Sequence, residues 1–475
     1  MRMIKGLSAL SAMGLAACGG STTVAGIDGG GALPPPVATT ITSQGAITGF
    51  GSVIVNGVRF ETSGAVITVD GEPATEADLA VGQIVTIQGT VEPDGVNGTA
   101  NTIVFDDAVE GPIQSLDVAA NTMLVLGQTV VVNGDTVFDD DITPGDLSGL
   151  SAGDVVEVSG FRDGSGAIVA SYIDLEPMSG DFEVTGLASG VDTAAMTFVI
   201  EGLTVDYSSA QLDDFPAGMP ENGQLVEAVG STFGAGGELL ATEVEFRGDD
   251  LNLAGVDDVE VEGLITRFVS ASDFDVAGVP VTTTSSTEFE NGTAADLGLD
   301  VRVEVEGDVN TSGVLVADEI EFRPVSDLRI GAAVEAVGTD GITVFGIDVT
   351  VSPATSFEDN SSLELTNFGL TDINVGDYVE IRAVSDGAAT VATRIERDDD
   401  PGEVFLRALV ESVNDPSFTL RGIVVTTDGD TEFEDESDNE ITAQAFFAAA
   451  QDRVAEAVGA LANGGIIAES VSFED

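Results

Sequence analysis

Clustered carboxylates are the residues of this chain whose type and spacing could do chemistry. One run is Asp139-Asp140-Asp141, and a longer acidic stretch contains Asp428, Asp430, Glu432 and Glu434. Carboxylate oxygens on a loop are the hard ligands that calcium prefers, so these seven acids are candidate metal ligands. A run of acids is also the usual composition of a solvated surface, and no stretch has the calcium-binding helix-loop-helix spelling.

The residue types leave little room for catalysis. Gly149-Leu-Ser151-Ala-Gly153 has the spelling of a nucleophile elbow, but the chain contains no histidine to act as the base. Two acids across a cleft could form a glycosidase, although the chain has no tryptophan and only three tyrosines to stack on sugars. We therefore expect a non-enzymatic protein that requires no cofactor. A carboxylate-dependent, carbohydrate-active hydrolase is the alternative.

Charge restricts the partners of the protein. The 475 residues include 83 Asp and Glu against 15 Lys and Arg, which gives a formal net charge of −68. Such a field repels phosphate backbones, so nucleic acid is excluded as a partner and divalent cations such as calcium are favoured. Composition does not specify a protein or glycan partner.

The N-terminus has the organisation of a secretory leader. Two basic residues precede an apolar run, Leu7–Ala17, which is too short to span a bilayer as a mature helix. The run ends in Leu15-Ala-Ala-Cys18, which resembles the lipobox of bacterial lipoproteins, whose cysteine receives the lipid. An ordinary signal with an incidental cysteine is the alternative. We predict a signal peptide over 1–17, lipidation at Cys18 and an unfolded tether over 18–43.

The residue after the cysteine bears on location. Gly19 stands where many lipoproteins retained in the inner membrane have Asp. The resemblance therefore implies an outer-membrane lipoprotein of a Gram-negative cell. The membrane is a partner through the lipid anchor.

The rest of the chain is built from one repeated template. Its first half is Gly153-Asp-Val-Val-Glu-Val-Ser-Gly160, and its tail is Ala170-Ser-Tyr-Ile-Asp-Leu175. The first half recurs at intervals of 70 to 77 residues and ends at Gly89, Gly160, Gly230, Gly307, Ala383 and Gly459. This interval is too long for one turn of a solenoid, so it predicts six small domains. We place them at 44–106, 107–177, 181–247, 259–323, 330–398 and 404–475.

Each repeat contains five strand-like segments. In the first repeat, Gly51–Thr62 alternates apolar residues on both sides of Asn56-Gly57, a strong hairpin signal. Segments rich in helix formers, such as Ala74–Leu79 and Thr442–Ala450, follow the third strand. Five strands with a short helix between strands 3 and 4 is the order of an OB-type barrel. We predict an all-β chain of six small OB-like barrels, with an immunoglobulin-like sandwich as the alternative.

The first repeat resembles a known family. Its segments Gly51–Thr62, Val69–Leu79 and Gly82-Gln-Ile-Val85 look similar to an uncharacterised bacterial family, domain-of-unknown-function family 5666. The later repeats keep only the skeleton of the template. Members of that family are secreted or lipid-anchored and often occur in tandem, so the resemblance implies a fold and a location and supplies no catalytic residue.

Together these observations predict a lipid-anchored protein of the cell envelope. Short acidic joints such as Asp106-Asp107 and Asp398–Pro401 indicate barrels that contact their neighbours along an extended structural or binding rod. Calcium is the ligand expected to stabilise it. A metal- or solute-binding envelope lipoprotein is a further alternative.

Replacement of Cys18 by Ser is expected to move the protein from the membrane fraction to the soluble fraction, because the lipid loses its attachment atom. Cell fractionation and mass spectrometry of the N-terminal peptide measure this. A wild-type protein that is soluble and carries no acyl chain would contradict the lipobox interpretation.

Overall fold

The structure is a computed structural model that describes residues 38–177, 180–248, 251, 256, 258–385, 389–436, 439–462 and 464–474. The predicted signal peptide, Cys18 and most of the predicted tether lie outside the described residues. The chain from Ala38 to Asp475 forms one compact unit, and its described part is all-β. No helix of these ranges is long and apolar enough to cross a membrane.

The strands of the first three repeats follow the order of the chain. Repeat 1 has β1 (Thr39–Gly49), β2 (Val53–Val55), β3 (Val58–Glu61), β4 (Val66–Val69), β5 (Glu72–Ala74), β6 (Ile84–Val91) and β7 (Asn97–Phe105). Repeat 2 has β8 (Val109–Asp117), β9 (Thr122–Val125), β10 (Gln128–Val131), β11 (Val137–Phe138), β12 (Val155–Arg162) and β13 (Ile168–Glu176). Repeat 3 has β14 (Phe182–Leu187), β15 (Ser189–Asp192), β16 (Thr197–Ile200), β17 (Leu203–Asp206), β18 (Gln211–Asp213), β19 (Leu225–Gly230), β20 (Leu239–Leu240) and β21 (Glu243–Phe246).

The last three repeats continue the same order. Repeat 4 has β22 (Asp258–Ser270), β23 (Asp273–Val276), β24 (Val279–Thr282), β25 (Glu288–Glu290), β26 (Arg302–Val309) and β27 (Leu315–Phe322). Repeat 5 has β28 (Leu328–Ala333), β29 (Ala336–Val337), β30 (Gly341–Val344), β31 (Ile347–Thr350), β32 (Ser356–Asp359), β33 (Tyr378–Ser385) and β34 (Thr390–Asp398). Repeat 6 has β35 (Val404–Asn414), β36 (Ser417–Leu420), β37 (Ile423–Thr426), β38 (Glu432–Glu434), the helix α1 (Ala443–Ala449), β39 (Val454–Ala462) and β40 (Gly465–Glu474).

Five strands of repeat 1 close into a barrel-like ring. β1 pairs antiparallel with β2 and β6, β2 with β3, and β6 with β7, while β3 and β7 pair in parallel and close the ring. Repeats 2, 4 and 6 have the same five pairings. Repeats 3 and 5 keep this order with the first strand divided in two, and repeat 3 also divides its last strand.

The segment after the third strand differs from the prediction. It carries an additional short strand in each repeat (β4, β11, β18, β25, β32 and β38), which pairs in parallel with the last strand. Within the described ranges α1 is the single α-helix, it follows β38, and isolated 3-10 turns occur at Glu76–Asp78, Val118–Ala120, Leu147–Gly149 and Leu370–Asp372. The prediction of a helix between strands 3 and 4 of every repeat is therefore wrong. Outside repeat 6 these segments are too short to nucleate a stable helix, whereas Thr442–Ala450 contains α1.

Backbone geometry explains both ends of the repeated template. Its opening residue, just before the fourth strand, has a left-handed φ of +86° to +100° at Gly82, Gly153, Gly223 and Gly376, and of +62° or +63° at Asp452 and Asp300. Gly adopts such φ values freely and Asp tolerates them. The closing glycine, as at Gly307, faces the last strand, where a Cβ would lie 2.1 Å from the carbonyl oxygen of Val316.

A threonine links the short strand to the tail of the template. Thr136 Oγ1 donates to the carbonyl oxygen of Ala170 at 2.8 Å. The same bond, at 2.7 to 2.8 Å, joins Thr287 to Ala317, Thr355 to Ala392 and Thr431 to Ala468. Each of these threonines opens a short motif of the form Thr136-Val-Phe138-Asp139. The bond explains why this motif recurs together with the alanine that opens the tail of the template.

The repeats associate through shared sheets. β8 pairs antiparallel with β14, so repeats 2 and 3 share one hydrophobic core, and β28 pairs with β35, so repeats 5 and 6 share another. Repeat 1 joins repeat 4, because β1 pairs in parallel with β22 between Ile41–Gln44 and Asp258–Val261. The open edge of each first strand thus finds a partner in another repeat, which satisfies its backbone groups.

Contacts also join repeats that are distant in the sequence. Asp135 of repeat 2 accepts a hydrogen bond from Ser326 Oγ at 2.5 Å, at the start of repeat 5. Asp300 of repeat 4 accepts one from the backbone of Gly164 in repeat 2 at 2.8 Å. This compact arrangement corrects the expectation of an extended row in which each barrel contacts only its sequence neighbours.

Candidate metal centre

The first acidic run lies in a turn that its own hydrogen bonds define. Asp139 accepts from Tyr172 Oη at 3.1 Å and from the backbone N of Asp141 at 2.9 Å. Asp140 accepts from Asn360 Nδ2 of repeat 5 at 3.2 Å. Asp140 and Asp141 are exposed, and Asp139 is half-buried. These carboxylates serve a turn and a contact between repeats.

The second acidic stretch is also at the surface. Asp428, Asp430 and Glu432 are exposed, and Asp428 accepts from the backbone N of Asp430 at 2.8 Å. Glu434 is half-buried at the end of β38, and Ser437 and Asp438 lie outside the described residues. In the described part of the chain, the three carboxylates that converge closely enough for one ion lie elsewhere.

Those three carboxylates meet at the junction of the first three repeats. Asp70, Asp107 and Glu183 each place one carboxylate oxygen within 4.8 Å of the others. Asp70 lies in the turn between β4 and β5, Asp107 lies in the joint after β7, and Glu183 is the second residue of β14. We call these three residues the carboxylate triad.

Local geometry holds the triad in place. Asp70 has a left-handed φ of +47°, and its backbone N donates to the carbonyl oxygen of Phe105 at 3.0 Å. This bond sets the turn beside the end of β7, so that Asp70 Oδ1 accepts from the backbone N of Asp107 at 3.1 Å. Glu183 is positioned by the pairing of β14 with β8, where it lies opposite Glu110.

Two acids of the triad are buried and short of partners, and Asp70 is half-buried. Asp107 is 2% exposed, and neither of its carboxylate oxygens has a hydrogen-bond partner among the described residues. Glu183 is 7% exposed, and its Oε1 is also without such a partner. Burial of an ionised carboxylate without a partner is strongly unfavourable. One divalent cation would satisfy several of these oxygens together, so the donor set suits a hard cation.

Neighbouring residues add negative charge around the triad. Arg247 is the cation closest to this cluster, and it contacts Glu227, Asp106 at 3.4 Å and Glu245 at 3.5 Å. Glu110 and Glu157 also act electrostatically on Asp107. Arg247 also acts electrostatically on Asp70 and Glu183, but one guanidinium does not match the number of acids gathered at this junction.

Comparison with known proteins identifies the family of the repeats. The family model described as "Domain of unknown function (DUF5666)" matches residues 40–103, 110–174, 185–245, 262–321, 332–396 and 407–472. The chain belongs to this family. The resemblance seen in repeat 1 is thereby confirmed, and the protein contains six tandem DUF5666 repeats.

Other comparisons add little. No curated protein matches the chain. A solved structure described as "drosophila Unr CSD456" matches with 12% identity over 45% of this chain and 95% of that one, with a TM-score of 0.11. A TM-score this low supports no conclusion about the DUF5666 chain.

DUF5666 repeats 5 and 6 provide an internal comparison for the triad. In the β28–β35 pairing Arg329 lies opposite Arg407, as Glu110 lies opposite Glu183 in the β8–β14 pairing. Arg329 pairs with Glu380 at 3.0 Å, and Arg407 pairs with Glu474 at 3.1 Å. Cationic side chains thus occupy one junction, and carboxylates occupy the equivalent positions of the other.

Burial makes the acids of this junction hold their protons. It raises the pKa of Asp70 to about 6 and the pKa of Glu157 to about 8. Burial, with the neighbouring Glu227, raises the pKa of Glu183 to about 10. Burial, with the charge of Glu183, raises the pKa of Asp107 well above its ordinary value. A bound cation would reverse these shifts, because it favours the ionised form.

Sequence reasoning did not select the triad. Asp107 was visible only as part of an acidic joint, and Asp70 only as a member of the segment Val69–Leu79 that resembles the family. The available signal was Glu183, which lies in a strand and is flanked by the apolar Phe182 and Val184. Glu183 alone does not identify Asp70 and Asp107, because the three acids come together only when β14 pairs with β8.

In the presence of a chelator, the melting temperature of the Cys18→Ser chain is expected to fall as the pH rises from about 4.5 to about 8. Those limits are the ordinary pKa of a Glu and the raised pKa of Glu157. Between them the folded state binds more protons than the unfolded state, so stability decreases with pH. Saturating calcium should remove most of the fall. A melting temperature that rises or stays level in chelator over this interval would contradict the burial of unpaired carboxylates.

Proposed function

We propose that this is a non-enzymatic, lipid-anchored protein of the Gram-negative outer membrane, whose six repeats form a compact binding module stabilised by calcium. The observation that carries the proposal is the buried carboxylate triad at the junction of repeats 1, 2 and 3. Cys18 at the end of the apolar leader supports the lipid anchor. The lack of histidine in the sequence supports a role other than catalysis, and the net charge of −68 argues against nucleic acid.

Strand order supports the assignment of each repeat to the OB-like class. The five principal strands close in the order 1-2-3-5-4-1, with the third and fifth strands parallel. This is the order of a small five-stranded Greek-key barrel. An immunoglobulin-like sandwich would need two facing sheets of about seven strands.

The compact arrangement defines the role of the cation. The triad takes one ligand from the turn of repeat 1, one from the joint and one from the first strand of repeat 3, so an ion bound there would fix three segments relative to one another. The unfolded chain cannot converge these acids, and binding therefore adds directly to folding stability. The protein would then hold its binding surface in a fixed geometry only when the cation is present.

The geometry of the site favours calcium over magnesium. Calcium accepts six to eight oxygens in irregular arrangements, whereas magnesium requires near-octahedral geometry and releases its water reluctantly. Carboxylates contributed by three separate segments suit the more adaptable ion. Soft or borderline metals are disfavoured, since the sequence has no histidine and its single cysteine is Cys18.

Replacement of Asp107 by Asn keeps the shape of the side chain and removes its charge. In chelator at neutral pH the variant is expected to melt at a higher temperature than the parent. Burial raises the pKa of Asp107 well above its ordinary value, so folding of the parent must supply a proton to it, whereas Asn needs none. The variant should also lose most of the stabilisation by calcium, which for the parent is about 2.7 kcal/mol at a calcium concentration 100 times Kd.

The control carries Asp428→Asn, Asp430→Asn and Glu432→Gln together, and it should keep the full response to calcium. Magnesium and sodium at matched ionic strength separate coordination from screening. If the control loses the calcium response while Asp107→Asn retains it, the exposed loop is the site and the triad is not. If the three salts stabilise all proteins equally, no coordination site exists.

A further inference from the structure

A cavity of about 1000 Å³ lies where repeats 1, 2, 4 and 5 meet. Its wall is largely apolar and includes Ile47, Val137, Phe161, Leu264 and Val391, which come from all four repeats. Ligand sites in proteins have this size and this kind of lining, with a few polar groups that orient the ligand. The cavity is separate from the carboxylate triad, since none of the triad residues lines it.

Arg382 supplies the cavity with a cation that lacks an acidic partner. Its Nη1 donates to the carbonyl oxygen of Thr136 at 2.7 Å, and no carboxylate of the described residues forms an ion pair with it. In the β33–β34 pairing Arg382 lies directly opposite Arg394. Like charges opposite each other in a sheet are destabilising. Glu396 and Asp135 act electrostatically on Arg382 without forming an ion pair with it, so its guanidinium can take an anionic partner in direct contact.

Arg394 does not relieve that shortage. It pairs with Glu358 and with Glu396 at 2.7 Å, and its Nε and Nη1 have no partner among the described residues. Burial, together with the charges of Arg394 and Arg329, lowers the pKa of Arg382 to about 9. Arg394 therefore has its anionic partners and lacks two hydrogen-bond acceptors, whereas Arg382 lacks a carboxylate in contact with it.

The acids that line the cavity are already engaged. Glu262 pairs with Arg302 at 2.9 Å, and Glu321 pairs with Arg323 at 3.0 Å. Asp135 accepts from Ser326 Oγ at 2.5 Å. Asp163 accepts from Ser165 N at 2.7 Å, and Asp296 accepts from Thr293 Oγ1 at 2.6 Å. Asp300 accepts from Gly164 N at 2.8 Å. None of these acids forms an ion pair with Arg382, so a carboxylate in contact with its guanidinium would come from a ligand.

We propose that the cavity binds an amphipathic monocarboxylate, a molecule with one carboxylate head and an extended apolar body, whose head pairs with Arg382. A guanidinium holds a carboxylate through two parallel hydrogen bonds, and the apolar wall accepts the body of the ligand. A single negative charge fits best, because the field of the protein repels multiply charged anions such as phosphates. The cavity reaches the surface at Asp296, Asp300 and Val325, which are exposed.

Calorimetric titration of the detergent-free Cys18→Ser chain with decanoate, decan-1-ol and acetate tests this inference. Decanoate is expected to bind at least about tenfold more tightly than decan-1-ol, which lacks the charge, or acetate, which lacks the apolar body. Arg382→Gln should weaken decanoate binding by a similar factor and leave the binding of decan-1-ol unchanged. Arg382→Lys, which keeps the charge, should retain part of the affinity.

Two further variants separate the site from general effects. Arg59→Gln removes an arginine whose guanidinium contacts only the backbone oxygen of Gly51, outside the cavity, and should bind decanoate like the parent. Ala354→Phe fills part of the cavity while keeping Arg382 and should reduce binding, which keeps the inference testable if Arg382→Gln fails to fold. The inference would be overturned if decanoate did not bind, or if decan-1-ol bound as tightly as decanoate. It would also be overturned if Arg382→Gln and Ala354→Phe bound decanoate as tightly as the parent.

Discussion

The cost of burying carboxylates where repeats meet is the constraint on which the rest of this structure depends. A chain with 83 acids and 15 basic residues cannot bring six barrels together without enclosing negative charge. Desolvation of an ionised carboxylate costs several kcal/mol unless a cation or several hydrogen-bond donors compensate it. The placement of the few arginines therefore decides which junctions are neutral and which need an ion from solution.

The junction of repeats 1 and 4 and that of repeats 5 and 6 obtain their cations from the chain. Glu262 is buried where repeats 1 and 4 share a sheet, and Arg302 lies beside it. The charge of Arg302 helps to outweigh the effect of burial, so the pKa of Glu262 lies below its ordinary value. Asp359 and Arg397 form a buried pair within repeat 5. The junction of repeats 1, 2 and 3 has carboxylates where repeats 5 and 6 have Arg329 and Arg407. Arginine at the other junction, and the calcium that we propose for the triad, are two solutions to the same electrostatic problem.

Sequence reasoning succeeds where the determinants are local. The opening glycine of the template, as at Gly153, is required because the backbone there is left-handed. The closing glycine, as at Gly160, is required because a carbonyl oxygen approaches it closely. Both constraints recur in the sequence, so periodicity alone located the six all-β repeats. The helix prediction failed at Ala74–Leu79 although the composition of that segment favours a helix. One 3-10 turn, Glu76–Asp78, forms there, closed by hydrogen bonds from Thr75 to Asp78. A segment of six residues is too short to nucleate a stable α-helix, so its composition did not decide its structure.

The association of repeats and the triad could not be predicted in this way. The pairing of β1 with β22 joins segments more than two hundred residues apart, and nothing in either strand specifies the other. Asp107 and Glu183 are ordinary acids until β14 pairs with β8. Exposed runs such as Asp139–Asp141 attract attention in a sequence because they are dense, but solvation already compensates their charge. A buried site needs fewer acids, and its members are scattered along the chain.

Anomalous diffraction from crystals of the Cys18→Ser chain grown with a calcium-mimicking lanthanide tests the central claim most directly. The account predicts an anomalous peak between the carboxylates of Asp70, Asp107 and Glu183, with oxygen ligands from all three residues at about 2.3 to 2.6 Å. A peak confined to the loops at Asp139–Asp141 or Asp428–Glu434, with the three buried carboxylates bonded to one another through shared protons, would contradict it.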